Sequence, residues 1–352
     1  LPLSHQALQP KTDAVHPMSR SYTSVWLLLL LVMGCRKDRG AEVPTGVIKI
    51  DGSSTVFPIA ESITAGFMSE HAGVDVRVGI SGTSGGIAKL CQGTVDLADA
   101  SRPMTSEEAE RCRRRGVEFV ELPIGFDGLA VVVNNKNDWA AHVTVTELRR
   151  MWESPSQHRV RRWSDVRPGW PERDLHLYGA DTASGTYDYF VEAVGATGRT
   201  TRTDYTSSED DNVIAQAVAN DELSIGFFGY AYWLENRDRL KLLGVDDERD
   251  DNGHGATLPT PETIQEGAYQ PLSRPLFVYV ARASLDRPEV DSFTRYLLDA
   301  APRTVEAIGY IRLPTDVYAA IAERLRERRT GSLLAARRSA VGISTKDLIR
   351  GP

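Results

Sequence analysis

The chain has 352 residues, 41% of them hydrophobic and 25% charged, with a formal net charge of −7 at pH 7. Its length exceeds one typical domain and its composition is that of an ordinary globular protein, so two domains are the default expectation. The negative balance argues against nucleic acid as a partner, and it means that any anionic ligand must be held by local dipoles and a well-placed cation.

Residues 1–34 read as an export signal, with Met18 as the candidate start. Arg20 precedes the apolar run VWLLLLLVM, Val25–Met33, which is shorter than the roughly 20 residues that cross a bilayer and suits a signal-peptide core. The tetrapeptide VMGC resembles a bacterial lipobox, which implies cleavage before Cys35 and lipid on its thiol. The alternative is a simple cleaved signal with an incidental Cys35. Residues 35–46 then form a lipidated tether, and the folded part lies outside the cytoplasm. In that oxidising compartment Cys91 and Cys112 make an even pair, so a disulfide is expected, the alternative being two reduced buried thiols. Neither a metal site nor a cofactor is expected.

The rest of the chain alternates strand and helix patterns. VIKI (Val47–Ile50) precedes a helix starting near Pro58, with Ile59, Ile63 and Phe67 on one stripe. VDVRVGI (Val74–Ile80) leads to the helix IAKLCQG. VDLADA precedes SRPMTSEEAERC, where Thr105 and Glu108 form a capping-box pattern. This order predicts an α/β fold with a mostly parallel sheet. Two long extended runs, Val117–Asn134 and Pro271–Arg282, are placed to carry the chain out to a second set of elements and back, as a two-stranded hinge. The expected boundaries are 47–129 and 275–322 for a discontinuous first lobe and 130–274 for the second. Residues 323–352 are expected to be a basic C-terminal tail, a helix end followed by a loose segment.

Three segments open alike: GSSTVFP (Gly52–Pro58), SGTSGG (Ser81–Gly86) and ASGT (Ala183–Thr186). Each follows an expected strand and precedes an expected helix, which is the carboxyl edge where open α/β sheets bind ligands. A helix begins with unpaired N–H groups and the positive end of its dipole, so it can bond a small anion, with glycines permitting close approach and hydroxyls adding donors. ASRP (Ala100–Pro103) adds a cation, Arg102, whose planar fork suits two oxyanion contacts. Taken singly, each junction is explained by ordinary capping and Arg102 by a surface ion pair. Their recurrence in one exported chain favours a shared anion site.

At these residues the chain resembles the phosphate-binding proteins of bacterial phosphate ABC transporters, the PstS family. The resemblance runs from about Val47 to Tyr318 through DGSSTVFPIAE, GISGTSGG, DLADASRPM, FDGLAVVVN, ASGTYDYF and PLSRPLFVYV. It implies a class II periplasmic-binding-protein fold, with two α/β lobes that close on orthophosphate. It also implies ligand contacts from Ser54, Thr55, Val56 (through its N–H), Thr83, Ser101, Arg102, Ser184, Gly185 and Thr186. Some family members carry an Asp where Ser101 stands and an Arg shortly before the Ser-Gly-Thr triplet, where this chain has Gly179 and Ala180. A single cation, Arg102, is therefore expected, and Asp127 in FDG is the candidate acceptor for the proton of hydrogen phosphate. Asp181 is a second candidate, and turn capping beside Gly128 is the plainer role for Asp127. The expected partners are phosphate, a transporter permease and the membrane through Cys35, with the protein a monomer. The alternative function is an exported serine hydrolase or phosphatase using Ser184 or Ser54, which would need a histidine base.

Overall fold

The structure is a computed structural model that describes residues 45–182, 184–196, 200–250, 253–334 and 342–350. The signal peptide with Met18, the lipobox with Cys35, and most of the tether lie outside the described residues. The strands are β1 (Gly46–Gly52), β2 (Val74–Ile80), β3 (Leu97–Ala100), β4 (Phe119–Asn134), β5 (His142–Thr144), β6 (His176–Ala180), β7 (Thr206–Ser208), β8 (Ser224–Gly229), β9 (Leu240–Leu242), β10 (Gly244–Asp246) and β11 (Ser273–Ala281). They form one curled sheet in the order β2-β1-β3-β11-β4-β8-β6-β7, with β9 also on β4 and a separate β10-β5 pair.

Strands β1, β2 and β3 are mutually parallel, with Gly52 level with both Ile80 and Asp99. Their carboxyl ends, and the loops that follow them, therefore meet at one edge. Alternation drives the burial: in β2 Val74 and Val76 face inward while Asp75 and Arg77 face solvent. β4 breaks that alternation because all of it is buried, its apolar residues together with Glu121, Asp127 and Asn134. It serves both halves of the molecule. Residues up to Gly128 pair with β11, and from Leu129 onward the strand pairs with β8. This is the class II binding-protein arrangement, two α/β halves joined through paired long strands.

The helix Phe57–Glu70 begins with Val56 at its N-cap and buries Ile59, Ile63 and Phe67. The Phe67 ring meets Phe293 of the helix Pro288–Ala307 edge-on at 5.2 Å. Each buried side chain of this size contributes about 1.5–3 kcal/mol. The helix Pro288–Ala307 runs through Pro302, its buried stripe extending to Ala301 and Val305. Tertiary burial there outweighs the local penalty of proline.

Cys91 and Cys112 form a disulfide that joins the helices Gly82–Cys91 and Ser106–Arg114. It closes a loop with a sequence separation of 21, so replacing both cysteines with alanine is expected to lower stability by about 3 kcal/mol on the chain-entropy account. Urea unfolding of the two proteins checks this, and equal midpoints would contradict it.

The helix end expected of the basic C-terminal region is the last turn of the helix Thr315–Arg326. Beyond it, the Leu333 N–H and the Ser332 hydroxyl donate to the buried Glu121 carboxyl of β4 at 2.7 and 2.9 Å. A carboxyl with 0% exposure has to be bonded, and these bonds hold the segment against the sheet. A short helix, Thr345–Arg350, follows.

Candidate functional site

A cavity of about 450 Å³ lies where the strand ends meet. From the first half, Ser53, Ser54 and Thr55 follow β1, Ser81 to Ser84 follow β2, and Ser101 and Arg102 follow β3. Across from them stand Gly185, Asp188 and Tyr189 of the helix Gly185–Ala193. The segment that returns the chain to the first half contributes Gln270, Ser273 and Arg274. Hydroxyls and two guanidinium groups thus face one space, a wall suited to a small oxyanion.

Of the residues expected in a ligand site, Ser54, Thr55, Thr83, Ser101, Arg102 and Gly185 line this cavity. Thr83 and Ser101 are linked directly: the Ser101 N–H donates to Thr83 Oγ1 at 3.1 Å, and the two hydroxyl oxygens are 3.3 Å apart. The Val56 side chain is fully buried and off the wall; the contact expected of this residue is through its N–H. Ser184 and Thr186 also stand off the wall, and the Ser184 hydroxyl accepts the Thr186 N–H at 3.1 Å as an ordinary N-cap. That capping bond also bears on the hydrolase reading. His176 begins β6 and is hydrogen-bonded to Asp221 at 2.6 Å, whereas Ser184 lies beyond the far end of the same strand. Among the described residues no histidine lines the cavity.

Arg102 is held firmly. Its Nη1 and Nη2 donate to Glu108 Oε2 and Oε1, each at 2.8 Å, and further bonds reach Ser84 Oγ and the Pro103 carbonyl. The capping box of Thr105 and Glu108 forms as the sequence predicts, but Glu108 does double duty in it. Burial alone would raise the Glu108 carboxyl; the Arg102 fork and the Thr105 N–H overcome that and hold it below its usual range.

The expectation of a single cation is corrected by Arg274, a second guanidinium on the wall. It stands in β11 directly opposite Asp127 of β4. Arg274 Nε and Nη2 both donate to Asp127 Oδ2, at 3.2 and 3.1 Å, and Nη2 also donates to Thr55 Oγ1 at 2.9 Å. Its flat face lies 3.8 Å above the Tyr189 ring. Asp127 therefore sits behind the wall, 4% exposed and engaged with Arg274, and does not itself line the cavity. Burial raises its carboxyl, with Arg274 opposing. Asp181 is likewise off the wall, accepting the Ser207 hydroxyl at 3.0 Å.

Arg274 was legible in principle. An arginine inside the otherwise apolar stretch SRPLFVYVA has to find a buried partner or a cavity. No local motif marks which of the two it finds.

Comparison with known proteins accords with this geometry. The family model of the PBP superfamily domain matches residues 39–301. Protein SphX of Synechocystis sp. is 43% identical over 302 residues, 86% of this chain and 87% of that protein. The phosphate-binding protein PstS of Staphylococcus saprophyticus is 36% identical, over 78% of this chain and 82% of its own. Among solved structures, a possible phosphate binding protein from Planctomyces limnophilus is 41% identical with a TM-score of 0.76, covering 81% of this chain and 99% of that one. A match over most of the folded chain, at these identities, shows descent as well as likeness: the chain belongs to the PBP superfamily and, within it, to the PstS family.

Proposed function

We propose that this protein binds inorganic phosphate in the cavity between its two halves and, anchored outside the cytoplasm by lipid on Cys35, delivers it to the permease of an ABC transporter. The observation that carries the reading is the wall itself: Ser53, Ser54, Thr55, Thr83 and Ser101 face Gly185 across a space that also holds Arg102 and Arg274. Donors outnumber carboxylates there, as a tetrahedral oxyanion requires. The names of PstS and of the Planctomyces limnophilus protein support the same ligand.

The cavity is larger than phosphate needs, with room for on the order of fifteen water volumes. Capture therefore involves closure of two lobes, 47–129 with 275–322 and 130–274, about the paired strands β4 and β11, so that Ser184 and Thr186 approach the ligand from the second lobe. The protein acts without catalysing a reaction, and as a monomer.

Calorimetric titration of the purified protein with phosphate, arsenate and sulfate tests this. Phosphate and arsenate are expected to bind and sulfate to bind far more weakly. Sulfate carries no proton at neutral pH and so has none to donate to a carboxylate such as Asp188 on the wall. Absence of phosphate binding refutes the reading, and steady release of phosphate from an ester would replace it with the hydrolase.

A further inference from the structure

We propose that Arg274, rather than Arg102, is the side chain whose guanidinium grips the bound oxyanion, and that the same residue ties that event to both halves of the molecule. The proposal rests on the reading that the cavity takes a phosphate-like anion.

A guanidinium has five N–H donors in a fixed plane. On Arg102, four are committed: two to the Glu108 carboxylate, one to Ser84 Oγ and one to the Pro103 carbonyl. Only its Nε–H is left, and its charge is already matched by a fork-to-fork pair with Glu108. Glu108 is not free to withdraw, because the Thr105 N–H of its own helix start donates to it at 2.9 Å. For Arg102 to clasp an anion with two bonds, it would first have to break this network.

Arg274 is arranged the other way. Its Nε and Nη2 supply all of its bonds, to Asp127 and Thr55, and Nη1 has no partner among the described residues. Two N–H groups of a cation on the cavity wall are therefore unspent. The pairing with Asp127 is long and falls on one carboxylate oxygen, at 3.1 and 3.2 Å, where a fork-to-fork charged pair is commonly about 2.7–2.9 Å. Asp127 orients Arg274 more than it saturates it. The Tyr189 ring beneath fixes the plane of the guanidinium. Thr55 Oγ1, having accepted an Arg274 N–H, keeps its own hydroxyl hydrogen to donate to the anion.

The position of Arg274 gives it reach into both halves. It lies in β11 opposite Asp127, next to the point where β4 exchanges β11 for β8. Thr55 belongs to the first junction of one half, and Tyr189 to the helix Gly185–Ala193 of the other. An oxyanion on Nη1 would therefore hold a residue in contact with both sides of the opening.

Calorimetric titration of the full protein with inorganic phosphate, alongside Arg274→Gln, Arg274→Lys and Arg102→Gln, tests this. Arg274→Gln is expected to weaken binding by about 100-fold or more. Arg274→Lys, which keeps the charge and loses the fork and the ring contact, is expected to weaken it about tenfold. Arg102→Gln is expected to cost less affinity than Arg274→Gln and to act mainly on melting temperature. Phosphate-induced change in tryptophan fluorescence is expected to shrink in Arg274→Lys even at saturating phosphate. Should Arg274→Gln fail to fold, the Lys variant decides. Arg274 variants that bind within threefold of the parent overturn the proposal, as does a larger loss in Arg102→Gln. A parent protein that takes no phosphate at all overturns the underlying reading instead, so the two failures are distinguishable.

Discussion

Gly185→Val is expected to abolish measurable phosphate binding while leaving the protein folded. A Cβ at this position would stand 2.8 Å from Ser54 Oγ and 2.9 Å from Thr55 Oγ1, closer than such contacts are tolerated. The hydroxyls that would have to yield are cavity-lining donors, and Thr55 Oγ1 also receives Arg274. They would have to turn aside, which takes two donors away from the opening. Losing two hydrogen bonds to a charged ligand corresponds to about a 100-fold loss in affinity at the least. Gly185 is in the first turn of its helix and half-buried at the cavity, so the core is untouched. The decisive measurement is calorimetric titration together with a melting curve: near-parental affinity in a folded Gly185→Val protein would show that the two junctions do not share a ligand.

Asp99→Asn is expected to stabilise the protein near neutral pH and to do little near pH 4. Asp99 lies in β3, 1% exposed, and its Oδ1 has no hydrogen-bond partner among the described residues. Burial pushes its carboxyl from 3.8 up to about 8, and the neighbouring Asp51 adds to the rise. Asp51 keeps its own charge matched through Lys89 at 2.5 Å and through the Ser81 hydroxyl, so it offers Asp99 no relief. Above its ordinary value an unfolded Asp99 releases its proton, while the folded protein retains it. The folded state then binds more protons, and stability falls as pH rises from about 4 to about 8. Asparagine is neutral throughout and removes this dependence. The gain approaches about 4 kcal/mol at pH 7 as an upper bound, from roughly three pH units at 1.36 kcal/mol each. Urea unfolding of both proteins at pH 4, 5.5 and 7 reads the difference directly. Parallel curves at all three values would mean that Asp99 ionises normally.

Much of this molecule follows from short-range rules. The three strand-to-helix junctions, the stripe of Ile59, Ile63 and Phe67, the Thr105–Glu108 box and the two long extended runs all depend on residues a few positions apart, and all are in the structure. Such rules are local because capping and helical periodicity act within about one turn. The same locality explains what they leave out. Ser184 satisfies the pattern of an anion-binding junction, and its hydroxyl also caps its own helix. Glu108 was legible as a cap, but nothing nearby told that it would also hold Arg102.

What the sequence determined by itself was the kind of site: small hydroxyl and glycine residues at parallel strand ends, in an order that marks the family. Which charges line the cavity was decided only by tertiary structure. Arg274 meets Asp127 across 147 residues and Thr55 across 219, through the pairing of β11 with β4. A strand presents alternate side chains to opposite faces, so a shift of one residue in that pairing would turn Arg274 away from the cavity. Register is fixed by the burial of whole strands against one another, and no short segment contains that information.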